Sequence, residues 1–384
     1  MKKTIYLDHA ATTAVSRSVL AAMLPYFSDC PGNASAVYGA GREARKAVEK
    51  ARKQAAAAIG AEPREILFTS GGSESDNLAL KGTAFALKNK GRHLITSAIE
   101  HSAVLNTCRW LGEQGFEVTY LQPDSKGRIS PEKVQDAVRD DTILVSIMAA
   151  NNEIGTIEPV AEIGAAAHEK GILFHTDAVQ AIGSIPVNVN DWNADLLSIS
   201  AHKFYGPKGT GALYIRRGTR IDNLIHGGEQ ERGLRAGTEN VPGIAGLGMA
   251  IEEAAARLEE NAQRTASLRD RLLRGIMEHI PDVKINGPEE NRLPNNCNIC
   301  FDRIDGEALL LRLDLAGIAA SSGSACTAGI QEISHVLRAV GLTEKEARGS
   351  LRLTTGPDNT EEEIDKAIRV ISEIVEDLRS MYHG

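Results

Sequence analysis

Short apolar runs alternate with longer stretches of helical periodicity between about residues 62 and 215. Five of the apolar runs have the length and flanking polar residues of buried strands: 66–68, 93–96, 142–148, 172–175 and 196–200. Helical patterns lie between them, for example over 73–90 and 160–170. Strands that alternate with helices in this way predict an α/β fold with a largely parallel sheet flanked by helices.

A long helical pattern over about 242–280 leads out of this region. Beyond it, short strand patterns at 283–285, 297–301 and 350–353 are mixed with helical patterns at 306–315 and from 361 onwards. This mixture predicts a second, smaller α+β domain. We expect a large domain of residues 15–260 and a small domain formed by residues 1–14 and 261–384.

Composition and charge exclude several classes of protein. The 384 residues are 42% hydrophobic and 24% charged, with a net charge of −8, which argues against binding to nucleic acid or to anionic membranes as the main role. No apolar run has the length of a signal peptide core or of a membrane span. The five cysteines are few and odd in number, which favours free thiols in a reducing cytoplasm.

Polar groups follow each of the five predicted strands. In a parallel sheet the carboxyl ends of the strands share one edge, where ligands bind. We therefore expect these groups to meet in one crevice: Ser70-Gly-Gly-Ser73, Glu100-His101, Asn151-Asn-Glu153, Asp177 with Gln180, and Ser200-Ala-His-Lys203.

Lys203 stands just beyond the polar end of a predicted buried strand, between a histidine and two aromatic residues. The pKa of a lysine falls when it is buried or near other cations, and a Schiff-base lysine needs a lowered pKa. The alternative is a solvated lysine in the loop that follows the strand.

Asp177 and the turn Ser70-Gly-Gly-Ser73 complement Lys203. The glycine-containing turn between a strand and a helix can bind phosphate through backbone N–H groups. Asp177 could hold a pyridinium nitrogen in its protonated form, with Gln180 on the same face. Together these residues fit pyridoxal 5′-phosphate bound as an imine on the lysine. The alternatives are an N-cap role for Asp177 and an ordinary turn in which Ser73 caps the helix.

Three further residues could contact this cofactor. His101 could lie flat on the pyridine ring and exchange protons, or could simply be a polar residue at the start of a helix. Ser200 and His202 could hold the phosphate group.

Cys326 is surrounded by small residues in Ser321-Ser-Gly-Ser-Ala-Cys-Thr-Ala-Gly329. Such a segment could carry a reactive thiol between two places, although an incidental cysteine in a turn is the alternative. Cys297 and Cys300 have the spacing of a metal or redox motif, but they lie in a predicted strand. Residues three apart on a strand point to opposite faces, so we reject that interpretation.

Arg352 is a lone arginine in the apolar strand pattern at 350–353. A buried guanidinium needs an anion, and a substrate α-carboxylate held in a bidentate grip would supply one. A salt bridge with an aspartate or glutamate of the chain is the alternative.

With these residues in view, the chain closely resembles the cysteine desulfurases of the NifS/IscS type, within the class V aminotransferase family. The resemblance runs nearly end to end. It rests on Tyr6-Leu-Asp-His-Ala-Ala-Thr-Thr13, Thr69-Ser-Gly-Gly-Ser-Glu-Ser-Asp-Asn77, Glu100-His101, Asn151-Asn-Glu-Ile-Gly155, His175-Thr-Asp-Ala-Val-Gln180, Ser200-Ala-His-Lys203, Gly227-Gly-Glu-Gln-Glu-Arg-Gly-Leu-Arg-Ala-Gly-Thr-Glu-Asn240, Ser321-Ser-Gly-Ser-Ala-Cys326 and Arg352.

The resemblance implies fold type I of the pyridoxal-phosphate enzymes and a role for each matched residue. The cofactor would sit on Lys203, with His101 over its ring and Asp177 on its ring nitrogen. Gln180 and Asn152 would contact the phenolic oxygen and the ring edge, and Arg352, with Asn152 nearby, would bind the substrate. The expected phosphate ligands are Gly72, Ser73, Ser200, His202 and, from the other subunit of a homodimer, Thr238.

The activity that the resemblance implies is the removal of sulfur from L-cysteine. Cys326 would become a persulfide, L-alanine would be released, and the sulfur would pass to an acceptor such as an iron–sulfur scaffold or a thiolation protein. Cys326 could also be a transient iron–sulfur ligand shared with a scaffold partner, and no other metal site is expected.

Two alternatives stay open at this point, as does one local question. A selenocysteine lyase or another class V aminotransferase would share the fold, and the protein could instead act chiefly as a module that docks on an iron–sulfur scaffold. The family often has Asn-Pro-Ser-Ser-x-His where this chain has Asn33-Ala-Ser-Ala-Val-Tyr38. The wall near the expected substrate entrance therefore differs at Ala34 and Tyr38.

Overall fold

The computed structural model describes residues 4–322 and 333–381. Within these residues the strands lie in three sheets. In chain order they are β1 (Ile5–Tyr6), β2 (Ile66–Thr69), β3 (His93–Ser97), β4 (Glu117–Leu121), β5 (Thr142–Ser146), β6 (Leu173–Asp177), β7 (Leu196–Ser200), β8 (Gly211–Ile215), β9 (Val283–Ile285), β10 (Asn296–Phe301), β11 (Ile318–Ala319) and β12 (Ser350–Thr354).

Helices cover both faces of the largest sheet. The α-helices are α1 (Arg17–Met23), α2 (Gly39–Ala58), α3 (Gly72–Asn77), α4 (Thr83–Leu87), α5 (Ser102–Glu113), α6 (Pro131–Ala137), α7 (Val160–Glu169), α8 (Val241–Ala256), α9 (Leu258–His279), α10 (Gly306–Leu315), α11 (His335–Ala339), α12 (Glu344–Arg348) and α13 (Glu361–Met381). A π-helical turn (Leu78–Gly82) joins α3 to α4, and single 3₁₀ turns occur at Leu24–Tyr26, Pro63–Glu65, Ala201–Lys203 and Gln230–Gly233.

The large sheet has seven strands in the order β2-β8-β7-β6-β5-β3-β4. Only β8 is antiparallel to its two neighbours, β2 and β7. The other strands therefore run in one direction, because all remaining pairs are parallel. The predicted α/β fold with a mostly parallel sheet is confirmed, and the five predicted strands all lie in this sheet.

Two of its strands and several boundaries differ from the sequence prediction. Strand β4 is an edge strand with only one buried residue, Leu121, so it lacks the apolar run of a buried strand. Strand β8 follows β7 without an intervening helix, which breaks the strand–helix alternation on which the prediction relied. Strand β5 ends at Ser146 rather than at residue 148, and β6 extends to Asp177.

Alternate residues of the central strands enter two separate cores. Phe174 and Leu197 are buried in the core on one face, and Leu144 and Leu196 are buried in the core on the other. Both faces are therefore covered, as expected for a parallel sheet between helices.

The long helical pattern over 242–280 forms two helices rather than one. Helix α8 ends and α9 begins at Arg257, whose φ of −112° and ψ of 17° are not helical. Apolar periodicity continues across this residue, which is why the sequence pattern predicts an unbroken helix.

A smaller three-stranded antiparallel sheet has the order β12-β10-β9. Helices α9 and α13 contribute to its core, and so do Ile5 and Leu7 from the N-terminal segment. Strand β1 pairs with β11 in a two-stranded sheet. These contacts agree with a small α+β unit that includes the first residues, while its boundaries at 14/15 and 260/261 stay a prediction.

Among residues 4–322 and 333–381, no helix is both long enough and apolar enough to cross a membrane.

We expect Leu351→Ala to lower the free energy of unfolding by about 2–5 kcal/mol, because Leu351 is fully buried in the small core. Leu311→Ala is the matched control, since Leu311 is 62% exposed, and it should cost less than about 0.5 kcal/mol. Denaturant unfolding measures both values. Equal losses in the two variants would contradict the assignment of Leu351 to the core.

Candidate cofactor and substrate site

Lys203 ends the 3₁₀ turn that directly follows β7. Its Nζ donates to the carbonyl oxygens of Ala10 and Ala11 at 2.6 and 2.8 Å. Among the described residues, no carboxylate forms an ion pair with this amine. The N-terminal segment therefore crosses the carboxyl edge of the large sheet and binds Lys203 through peptide carbonyls alone.

The surroundings of Lys203 favour its neutral form. Burial lowers the pKa of Lys203 to about 8, and Arg352 acts in the same direction, while Asp177 and Asp8 act against it. Desolvation disfavours an ammonium ion because it loses the hydration that stabilises its charge. The lysine is therefore poised to act as a nucleophile or a base near neutral pH, and the alternative of a solvated loop lysine does not fit.

Asp177 is the last residue of β6 and is 5% exposed. Its Oδ1 accepts a hydrogen bond from the backbone N–H of Val179 at 2.9 Å. Burial raises the pKa of Asp177, and the nearby His101 and Lys203 oppose that shift. The residues after it form turns and not the helix expected in the N-cap alternative.

Gln180 lies beside Lys203. Its Nε2 donates to the carbonyl oxygen of Ala10 at 3.0 Å, so the two side chains share one acceptor. The structure thus brings Asp177, Gln180 and Lys203 to one place, as the sequence predicts.

The turn at residues 70–73 enters a helix that continues through the π turn to Leu87. The first N–H groups of a helix have no intrahelical acceptor and suit an anion. An added Cβ at Gly72 would lie 2.8 Å from Val179 Cγ2 and 3.5 Å from Ser200 Cβ, so only glycine fits where the turn meets these residues. Gly72 and Ser200 therefore lie against each other at a helix start that suits a phosphate group.

His202 lies in the 3₁₀ turn that follows β7 and is half-buried, and its Nδ1 lies 3.1 Å from Thr12 Oγ1. Burial lowers the pKa of His202 to about 4, helped by the positive charges of Lys203 and Lys208. At neutral pH His202 can therefore bind a phosphate through a hydrogen bond but not as a cation.

His101 is exposed and caps helix α5, accepting the N–H of Ala103 on Nδ1 at 3.1 Å. This places its proton on Nε2 in the neutral ring. His101 lines an open groove of about 410 Å³ together with Ser73. His101 therefore starts a helix, as the alternative interpretation predicted. Its ring nevertheless lies beside the turn that suits a phosphate group.

Arg352, on β12, is 5% exposed and forms the salt bridge that the sequence left as an alternative. Its Nη2 lies 2.8 Å from Asp8 Oδ1, and its Nη1 donates to the carbonyl oxygen of Asn152 at 3.1 Å. The buried Nε has no hydrogen-bond partner within residues 4–322 and 333–381. One donor of the guanidinium is therefore available for a further anion next to Asn152.

The chain matches the class V aminotransferase family model over residues 5–367. It belongs to this family. A cysteine desulfurase IscS from Methanosarcina thermophila is 56% identical over 379 residues, which cover 99% of this chain and 94% of that protein. The resemblance predicted from the motifs is thereby confirmed.

Two solved structures of the family match the fold. One, described as a NifS-like protein, has a TM-score of 0.92 at 42% identity and covers 97% of this chain and 99% of its own. Another, described as SspA in complex with cysteine, has a TM-score of 0.83 at 42% identity and covers 93% of this chain and 100% of its own. The predicted fold of the pyridoxal-phosphate enzymes of type I is confirmed.

Cys326 lies outside the described residues. On one side, the backbone of Ser321 pairs with that of Arg352, with N–O distances of 2.6 and 3.1 Å. On the other, His335 Nε2 lies 2.9 Å from the carbonyl oxygen of Glu100. The described residues on either side of the range that contains Cys326 therefore contact residues of the candidate site.

Cys297 and Cys300 lie on opposite faces of β10, as predicted. Cys297 belongs to the core of the small sheet, whereas Cys300 packs in a separate cluster, and Asn286 Nδ2 lies 3.0 Å from its sulfur. Burial raises the pKa of the two thiols to about 12 and about 11. Neither is a reactive thiolate at neutral pH.

Thr238 is exposed in the loop of residues 227–240 that follows β8. This loop contacts helix α3 of the same chain, just after the turn at residues 70–73, through an ion pair of Arg235 with Glu74. The contact of Thr238 with a second subunit stays a prediction.

Sequence reasoning missed a buried polar layer beneath Asp177. His175 is fully buried between Ser146 and Ser198, at 2.8 and 3.0 Å, and its Nε2 lies 3.8 Å from Asp76 Oδ1. Burial lowers the pKa of His175 to about 3, so the ring is neutral. Polar residues at inward positions of otherwise apolar strands were the signal that could have revealed this layer.

Sequence reasoning also assigned no role to Asp8, Ala10 or Ala11, although the N-terminal motif contains them. Their partners are Arg352 and Lys203, which lie more than 190 residues away in the chain. The conformation of this segment depends on those distant contacts.

We expect the amine of Lys203 in the cofactor-free protein to react with acetic anhydride with a midpoint near pH 8. At that pH the Lys203 amine is neutral in half of the protein molecules. The same lysine in urea-unfolded protein should show a midpoint near the usual lysine value of about 10.4. Mass spectrometry of the peptide that contains Lys203 measures both profiles, and a folded-state midpoint above about 10 would refute the lowered pKa.

Proposed function

We propose that this protein is a pyridoxal-phosphate-dependent cysteine desulfurase. The observation that carries the proposal is a lysine of lowered pKa next to a buried aspartate, in a chain that is 56% identical to a cysteine desulfurase. A selenocysteine lyase or another class V aminotransferase is favoured by none of the relatives reported above. A docking module without catalysis would have no need of Lys203 at this place.

The residues of the site fit pyridoxal 5′-phosphate. A buried carboxylate suits a cationic ring nitrogen, a lysine amine suits the aldehyde, and a glycine turn at a helix start suits the phosphate. When bound, the cofactor would act as an electron sink for the bonds to the substrate α-carbon. Its predicted ligands are Lys203, His101, Asn152, Asp177, Gln180, Gly72, Ser73, Ser200, His202 and Thr238.

Asp177 would keep the ring nitrogen protonated. Burial raises its pKa more than the charges of His101 and Lys203 lower it, and an ion pair with the ring nitrogen would offset the cost of burying the carboxylate. Gln180 and Asn152 would hydrogen-bond the ring substituents, and His101 would cover the ring face.

Lys203 would take the proton from the substrate α-carbon. With a pKa of about 8 it is a competent base near neutral pH. The carbonyl oxygens of Ala10 and Ala11 would hold the ammonium that results, since they already accept hydrogen bonds from Nζ at 2.6 and 2.8 Å.

Arg352 would bind the α-carboxylate of L-cysteine, with Asn152 beside it. The Cys326 thiolate would then attack the substrate sulfur. The carbon–sulfur bond breaks, a sulfur–sulfur bond forms, and a proton replaces sulfur on the carbon, so that L-alanine and a Cys326 persulfide are the products. His101 is the proposed proton carrier.

The persulfide sulfur would pass to an acceptor protein, either an iron–sulfur scaffold or a thiolation enzyme. Cys326 could be shared transiently as a ligand of an iron–sulfur cluster on the scaffold. We further propose a homodimer, in which Thr238 of one subunit reaches the phosphate of the other, and a reducing cytoplasm that keeps the thiols free.

Cys326→Ser should lower the formation of alanine from L-cysteine by at least about 100-fold, because it removes the sulfur nucleophile. The visible absorbance of bound pyridoxal phosphate should not change. Cys300→Ser is the matched control and should keep most of the activity, since its thiol is buried.

Lys203→Ala provides the second control, because it should lose the visible absorbance as well as the activity. Normal alanine and sulfide release by Cys326→Ser would contradict the role of this thiol. Absence of alanine formation in the unchanged protein would contradict the proposed activity itself.

Arg352→Lys should raise the KM for L-cysteine by about tenfold to 100-fold, because a lysine ammonium cannot keep the contacts with Asp8 and Asn152 and also place a donor where the guanidinium Nε–H lies. The bound-cofactor spectrum and the kcat should change much less. Arg271→Lys is the control, since Arg271 pairs with Asp365 on the small unit at 2.6 and 2.8 Å. An unchanged KM in Arg352→Lys would exclude Arg352 as the carboxylate ligand.

A further inference from the structure

Asp8 lies just before the carbonyl groups that bind Lys203, and strand β12 fixes its backbone. Asp8 forms a β-bridge with Thr354, and the backbone oxygen of Leu7 accepts the N–H of Thr354 at 2.7 Å. The N–H of Ala10 donates to Thr354 Oγ1 at 2.9 Å. The Asp8 carboxylate can therefore move only by rotation of its side chain, which is 19% exposed.

This carboxylate occupies one of two adjacent donors on the Arg352 guanidinium. Asp8 Oδ1 lies 2.8 Å from Nη2, whereas the neighbouring Nε is buried and has no hydrogen-bond partner among the described residues. The remaining nitrogen, Nη1, donates to the carbonyl oxygen of Asn152 at 3.1 Å. A carboxylate that binds an arginine through both oxygens needs two adjacent donors. On the edge formed by Nε and Nη2, an incoming carboxylate finds one donor without a partner and the other taken by Asp8.

In the part of the chain that the structure describes, no other carboxylate forms an ion pair with Arg352. Glu153 is within electrostatic reach of Arg352, but its Oε2 accepts a hydrogen bond from Ser334 instead. Burial raises the pKa of Glu153 to about 7 although Arg352 acts against that shift, so its negative charge is only partly present near neutral pH. Asp8 is therefore the carboxylate with which an anion at Arg352 has to compete.

Both members of the Asp8–Arg352 pair act on Lys203. Arg352 lowers the pKa of the lysine and Asp8 raises it, so both charges lie near the amine. In an α-amino acid, the amino group and the carboxylate are attached to the same carbon atom. A substrate whose amino group replaces that of Lys203 thus brings its carboxylate towards the guanidinium that Asp8 already contacts.

We propose that Asp8 is a positioning residue that competes with the substrate carboxylate for Arg352 and thereby sets the affinity for amino acids. This inference rests on the proposed function, in which Arg352 binds the α-carboxylate of L-cysteine. One substrate oxygen can bind Nε–H while Asp8 stays in place. The second oxygen gains Nη2 only when the side chain of Asp8 rotates away.

The competition favours release of the product. L-Cysteine and L-alanine carry the same carboxylate, so a guanidinium that binds it tightly would retain the product as well. The negative charge of Asp8 weakens the binding of both amino acids, and its side chain returns to Nη2 when L-alanine leaves.

The test compares Asp8→Asn with the unchanged protein, both loaded with pyridoxal 5′-phosphate. The probe is L-alanine, which has no sulfur to lose, and its dissociation constant is obtained from the absorbance of the bound cofactor. We expect this constant to be about tenfold lower in Asp8→Asn, because the substitution removes a like charge beside the bound carboxylate. The KM for L-cysteine should fall by a similar factor without a rise in kcat, because the competition weakens ground state and transition state alike.

Ethylamine is the matched control ligand, since it is L-alanine without the carboxylate. Its dissociation constant should be the same in Asp8→Asn and in the unchanged protein. Equal tightening of both ligands would overturn the proposal, because Asp8 would then act through Lys203 and not through Arg352.

Asp365→Asn is the matched control variant, because it removes the charge of another aspartate that pairs with an arginine, Arg271. It should leave the affinity for L-alanine unchanged. In Arg352→Lys, the further substitution Asp8→Asn should give much less than a tenfold gain, since the shared guanidinium is absent.

Asp8→Ala distinguishes competition from simple support of Arg352. Competition predicts tighter binding of L-alanine in Asp8→Ala as well as in Asp8→Asn. If Asp8 only holds Arg352 in place, Asp8→Asn should bind L-alanine as before, since the amide keeps an acceptor, and Asp8→Ala should bind it more weakly; that result would overturn the proposal. A protein that binds no cofactor or no L-alanine would contradict the proposed function itself. Binding that Arg352→Lys weakens but that neither Asp8 variant changes would refute the competition alone.

Discussion

The side-chain nitrogen of Lys203 donates to two peptide carbonyls of the N-terminal segment, in a largely buried position. Burial lowers the pKa of this amine to about 8, and carbonyl dipoles stabilise an ammonium ion less than a paired carboxylate does, so more of the amine is neutral near neutral pH than for an ordinary lysine. A closer acidic partner would restore the ordinary lysine pKa. The rest of the candidate site depends on this balance, because both attachment to an aldehyde and proton removal require a neutral amine.

The positions of the nearby charged groups keep the pKa of Lys203 low. Asp177 lies close enough to act on the pKa of Lys203, but its Oδ1 is engaged by the backbone of Val179. Asp8 lies near as well, but its Oδ1 accepts from Arg352. The guanidinium therefore serves two purposes, since it occupies one carboxylate and offers a buried Nε–H to a further anion.

Much of this arrangement follows from local sequence. Apolar runs of strand length predicted five strands of the large sheet, and the common direction of parallel strands predicted that their polar ends would meet. The cysteines of β10 were also assigned correctly, because side-chain direction alternates along a strand. Strands β4 and β8 were not predicted. Strand β4 is an edge strand and mostly exposed, and no helix separates β8 from β7.

The sequence by itself determined the fold class and the set of residues expected at the crevice, because strand alternation and strand-end chemistry are short-range patterns. The resemblance of its motifs to a known family predicted the family. The tertiary structure alone decided which partners those residues have. Three contacts depend on segments that are distant in the chain. Arg352 binds Asp8, Lys203 binds carbonyl groups and not a carboxylate, and Glu74 binds Arg235. Partner choice sets the pKa and the available donors, and no local pattern encodes contacts between residues 161 to 344 positions apart.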